Sequence, residues 1–192
     1  MKTTRLEAFS DGVMAIIITI MVLELKVPHA TDWAALQPLA PIFATYAMSF
    51  VYVGIYWNNH HHLLHLAEAI SGGVLWANLH LLFWLSLIPF VTGWMGENHI
   101  EPLPAALYGV VLLMCSFAWL TLQTTIVHSQ HGNSRLRQAL GRDLKGKMSS
   151  LLYAAAIGLA FFKPWLAISI YVLVALMWLI PDRRFEVRIT NG

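Results

Sequence analysis

Charge is scarce in this chain of 192 residues: Asp, Glu, Lys and Arg together make up 11% of it. Cysteine is scarcer still, with Cys115 alone. A single cysteine excludes an intrachain disulfide and any cysteine-built metal site, and leaves a small apolar packing residue. The formal net charge of +2 is too small for the basic field that nucleic-acid binding requires. No nucleophile–base pairing, glycine-rich phosphate loop or zinc signature occurs, so nothing argues for an enzyme or a bound cofactor. No internal repeat, low-complexity tract or separate soluble domain is visible.

What the chain does have is apolar surface. Hydrophobic residues make up 58% of it, including eight Trp, nine Phe and six Tyr. That is the balance of an all-α integral membrane protein with aromatic side chains at its interfaces. The first apolar run, residues 6–27, would make a helix of roughly 33 Å, enough to cross a hydrocarbon core of ~30 Å. A cleaved signal peptide is the rival reading, since Lys2 and Arg5 precede an apolar core. Asp11 inside that core, Glu24 at its end and the lack of a small-x-small cleavage pattern favour an uncleaved helix. A buried aspartate costs about 2.5–3.5 kcal/mol on insertion scales, so Asp11 should face protein or water.

Further spans are expected at residues 39–57, 74–94, 105–127, 148–162 and 165–180. The last two divide a stretch of roughly 50 Å, too long for one straight crossing, at Lys163-Pro164. Six spans with both termini in the cytoplasm put Lys2, Arg5, a basic connector at 133–147 and three tail arginines inside. Only Lys26 and Lys163 then lie outside. That is the asymmetry the positive-inside rule requires. The connector, with Arg135, Arg137, Arg142, Lys145 and Lys147, would touch anionic headgroups.

Periodicity alone assigns no pore. Ile16, Ile20 and Leu23 share one side of the first helix, with Thr19 beside them, but nearly every other face is apolar too. A second constellation is the run Asn58, Asn59, His60, His61, His62 and His65. His61 and His65, at i and i+4, have a spacing that can hold zinc or haem. No carboxylate with a clear ligand role accompanies them, and the simpler reading is a helix end with interfacial histidines. Histidine pH sensing is a third reading. Asn78 and His80 read as satisfied polar groups between helices.

The pattern Arg5-x-x-x-Phe9-Ser10-Asp11, followed by Gly-Val-x-Ala-Ile-x-Ile-Thr, resembles the first-helix signature of the transmembrane protein 175 family. These are the endosomal and lysosomal potassium channels, and the likeness is to their bacterial and archaeal branch. It extends through Gly54-x-Tyr56-Trp57-x-x-His60-His61, Asn78 and Leu87-Ile88-Pro89-Phe90. The resemblance implies a homotetramer in a bacterial or archaeal inner membrane, with four first helices around a pore for potassium and other monovalent cations. It implies that Ile16, Ile20 and Leu23 line the pore, Ile16 being the main constriction, and that Thr19 sets cation preference. Arg5, Phe9, Ser10 and Asp11 would anchor the helix, with Asn78 and with His60 or His61 as partners. Glu24 would lie at the outer mouth, about 12 Å beyond Ile16. No Thr-x-Gly-Tyr-Gly filter is present, so potassium would be preferred only weakly over sodium. The alternatives are a histidine-liganded metal or haem protein, either transporter or cytochrome, and a membrane assembly subunit without transport.

Overall fold

The structure, a computed structural model, describes residues 3–67, 70–129 and 143–179. These are almost wholly helical: α1 Thr3–Leu23, α2 Ala40–His65, α3 Gly72–Ser86, α4 Ile88–Glu97, α5 Pro102–Ser129, α6 Leu144–Ala160 and α7 Pro164–Leu179. A 3-10 segment, Trp33–Leu39, leads into α2, its first turn closed by the Asp32 carboxylate, which accepts from the Ala35 N–H at 3.0 Å. Because α3 and α4 are two halves of one crossing, the seven helices make six membrane segments. Four segments are long and apolar enough to span alone, while α6 and α7 are short.

The segment ends differ from the sequence expectation for physical reasons. The first helix stops at Leu23 rather than Val27: its last turn tightens, with Leu25 N–H donating to the Val22 carbonyl, and Pro28 follows. The second runs on past Trp57 to His65, so the histidine run forms its last two turns, the helix end expected of it. The third breaks at Leu87, two residues before Pro89. A helical proline lacks an N–H and its ring crowds the carbonyl four residues back. Lys145 and Lys147 belong to the first turn of α6, not to a connector. The rest of the connector, including Arg135, Arg137 and Arg142, and the tail arginines Arg183, Arg184 and Arg188 lie outside the described residues.

At the centre of the subunit is α5, packed against α3, α4, α6 and α7. Its inward positions include Ala105, Ala106, Gly109, Cys115, Ser116 and Ala118, small residues that let backbones approach. Gly109 is required: a Cβ there would overlap the Tyr171 hydroxyl and lie 2.9 Å from Ile157 Cγ1. Gly96 does the same between α4 and α2, where a Cβ would sit 2.9 Å from the Ile42 Cα.

Lipid offers no hydrogen bonds, so polar side chains within the spans turn inward to find partners. Ser49 bonds both Thr92 (2.6 Å) and the Tyr108 hydroxyl (2.9 Å), joining α2, α4 and α5. Tyr52 donates to the Tyr171 carbonyl at 2.6 Å, and Tyr171 donates to the Ala105 carbonyl at 3.1 Å. Large apolar groups such as Trp76, Phe83, Phe90 and Leu176 face outward. A few hydrogen-bonded polar groups are thus set in a largely apolar interior, and the outer surface of the helices is apolar as well.

Candidate functional site

The first helix has two contrasting faces. Leu6, Ser10, Met14, Ile17 and Met21 recur every three or four residues and are buried against α2, α3 and α4. On another side, Ile16, Ile20 and Leu23 are 57%, 44% and 77% exposed. Thr19 is exposed beside them, its hydroxyl donating back to the Ala15 and Ile16 carbonyls, both at 3.0 Å. The oxygen's lone pairs are left to the outside. Phe9 is also exposed, and helical spacing puts it on the Ile16 side.

The N-terminal half of α1 is tied to α2 and α3 by three separate contacts. Ser10 donates to the Leu6 carbonyl at 2.9 Å and accepts from Asn78 Nδ2 at 3.0 Å. Asn78 Oδ1 in turn faces His60 Nε2 at 2.7 Å. With the Asn78 amide donating to Ser10, its oxygen must accept, which assigns the proton of neutral His60 to Nε2. All three side chains are fully buried, and His60 Nδ1 has no hydrogen-bond partner among the described residues. Asp11 is a separate case: its Oδ1 accepts from the Trp57 indole at 3.0 Å. One turn earlier, Glu7 Oε1 meets His61 Nδ1 at 2.8 Å.

The structure thus brings Ser10, Asn78 and His60 into one cluster and leaves other motif residues elsewhere. Arg5 and Phe9 are exposed rather than packed into the subunit. His80 lies on the helix surface, accepting from the Trp84 indole at 3.0 Å, and not between helices as its sequence context suggests. Two contributors were not legible as such: Trp57, quoted only as motif, and Glu7. The available signal was spacing, because Glu7 and Asp11 at i and i+4 put two carboxylates on one face of a span.

Just beyond the C-terminal end of α1 the contacts are of another kind. Glu24 lies over Gly93 of α4, where a Cβ would stand 3.4 Å from its Oε2. Lys26 pairs with Glu97 Oε1 at 2.7 Å. That hydrogen bond and charge hold the Lys26 ammonium above its ordinary range.

Apolar helices, with four segments among the described residues long enough to cross a membrane alone and large apolar groups on their outer surface, define a multi-pass helical membrane protein. The chain belongs to the TMEM175 ion-channel family. Residues 5–89 match the model described as endosomal/lysosomal potassium channel TMEM175. A protein named as a potassium channel from a Chryseobacterium species is 53% identical over 97% of both chains. The crystal structure of a lysosomal potassium-selective channel TMEM175 homolog from Chamaesiphon minutus superposes with a TM-score of 0.79. It is 26% identical, with 93% of this chain and 96% of that one covered. The human protein named endosomal/lysosomal proton channel TMEM175 is 39% identical over 92 residues, 41% of this chain and 18% of its own length.

Proposed function

We propose that this chain is one subunit of a homotetrameric, passive potassium channel of a bacterial inner membrane, with both termini cytoplasmic and four copies of α1 around the pore. The observation that carries it is the exposed stripe of Ile16, Ile20 and Leu23 on a helix whose opposite face is packed to 1–5% exposure. In the assembly this stripe lines the axis and Ile16 forms the main constriction. A ring of branched aliphatics narrow enough to dewet stops ions without any charged gate.

Thr19, on the edge of the stripe, offers hydroxyl lone pairs to a dehydrating cation and biases the choice among monovalent ions. With no carbonyl-cage filter, potassium is preferred over sodium only modestly. Glu24, lying on α4 of its own subunit, contributes negative potential at the outer end without lining the bore. Ser10, Asn78 and His60, with Asp11 and Trp57, hold the inner end of α1 against α2 and α3. Transport needs no cofactor and involves no enzymatic step.

Ion flux into liposomes containing the purified protein tests this reading. The expected result is potassium uptake exceeding sodium uptake, dissipated by a potassium ionophore control. Proton flux without potassium flux would assign the chain to the activity named for the vertebrate relatives. Absence of any flux would make it an assembly subunit.

A further inference from the structure

The histidine run contains a three-residue set that the channel reading does not use. Glu7 reaches across from α1 to the last turns of α2, where its Oε1 meets His61 Nδ1 at 2.8 Å. One turn on, the His65 ring stands edge-on to His61, with centroids 4.4 Å apart and planes at 82°. One ligand-capable atom from each of Glu7, His61 and His65 lies within 4.8 Å of the other two. Glu7 and His61 are half-buried and His65 is exposed, so the set opens to water on one side.

We propose that Glu7, His61 and His65 form a binding site for a divalent ion of the zinc class. Zinc bonds imidazole nitrogen and carboxylate oxygen at ~2.0–2.2 Å, which puts tetrahedral donors roughly 3.4 Å from one another. The three donors approach that spacing through side-chain rotation alone, with the ion replacing the proton shared by Glu7 and His61. Two histidines at i and i+4 on a helix present both rings to one ion, and a third ligand from another element completes a site that keeps one position for water. Two imidazoles and a carboxylate suit zinc-class ions and not magnesium or calcium, which require mostly oxygen. His61 is also steadied from behind: the Trp57 ring stacks on it at 6.3 Å and 25°, and its indole N–H is held by Asp11. Ion binding would join the first turns of α1 to the last turn of α2, a cross-link in the same subunit.

The site is tested by binding, without any flux measurement, so it stands or falls apart from the conduction reading. Tag-free purified protein is titrated with zinc chloride by calorimetry and its metal content measured after dialysis. The expected result is one saturable zinc per chain, a rise in unfolding temperature with zinc, and no saturable site for magnesium. His65→Ala lowers zinc affinity at least tenfold, and Glu7→Gln weakens it, while the gel-filtration profile is unchanged. If His65→Ala does not assemble, His65→Gln carries the same comparison. No saturable zinc in the parent protein, or undiminished affinity in the His65 variant, overturns the proposal.

Discussion

Asn78 joins three helices through a single amide, giving a hydrogen bond to Ser10 of α1 and taking one from His60 of α2. Replacing it with Leu strands the His60 Nε2–H and removes a donor from Ser10. We expect a loss of about 1–3 kcal/mol, the usual cost of leaving buried polar groups unpaired. Ser10→Ala deletes the far end of the chain and leaves only one Asn78 N–H to reorganise, so its cost should be smaller. Thermal unfolding of the detergent-solubilised protein ranks the two; equal effects would show that the cluster is not a chain. Ile16 is the contrasting residue, since its side chain is 57% exposed. Ile16→Asn should leave unfolding nearly unchanged and raise basal ion leak in liposomes, because an amide wets a constriction that branched aliphatics keep dry. Unaltered leak with intact assembly would move the gate elsewhere.

At the scale of elements, the polar residues of the spans announced their own positions. Ser10, Asp11, His60 and Asn78 stand out in apolar runs, and lipid forces such groups toward protein. The same physics hides the rest. When nearly every face of a helix is apolar, the inward side of α1 carries Met14, Ile17 and Met21 and the outward side Ile16, Ile20 and Leu23, all apolar, so hydropathy does not tell the two sides apart. Helix ends were hard to read even where their cause was visible, as at Leu87, because Pro89 marks a break without fixing its position. The turn after α4 is another such place: His99 and Ile100 both adopt positive φ, 51° and 63°, so that Ile100 N–H can donate to the Met95 carbonyl. A non-glycine residue there carries roughly 1–2 kcal/mol of steric cost. Ile100 is buried and offsets that cost by its contacts. For His99→Gly we expect a gain in stability of about 1 kcal/mol, read as a higher unfolding temperature. A decrease would mean that the His99 side chain holds the turn.

Among the described residues the interior is mostly apolar, with Leu, Val, Ala and Tyr packed around a few hydrogen-bonded polar groups, and large Phe, Leu and Trp side chains cover the outside as well. Sequence composition made this environment legible, but one chain cannot say which of its outward faces meets lipid and which meets another copy. The α1 stripe separates the two. Cys115 is fully buried in α5, so a cysteine placed on α1 is the one that oxidants reach first. In a Cys115→Ser background, Leu23→Cys should form disulfide-linked dimers on mild oxidation if the proposed tetramer brings that position together at its axis. Cross-linking no greater than that of an outward position such as Leu176→Cys would place the stripe in lipid.

Two contacts near opposite ends of α1 differ in kind, and ionic strength distinguishes them. Lys26 and Glu97 meet in the open, with side chains 75% and 43% exposed, and dissolved salt screens such a pair. The Ser10–Asn78–His60 chain is neutral and buried, out of reach of counterions. Concentrated salt therefore weakens the Lys26–Glu97 pair and leaves the Ser10–Asn78–His60 chain intact, while Ile17 and Met21 keep the C-terminal half of α1 packed.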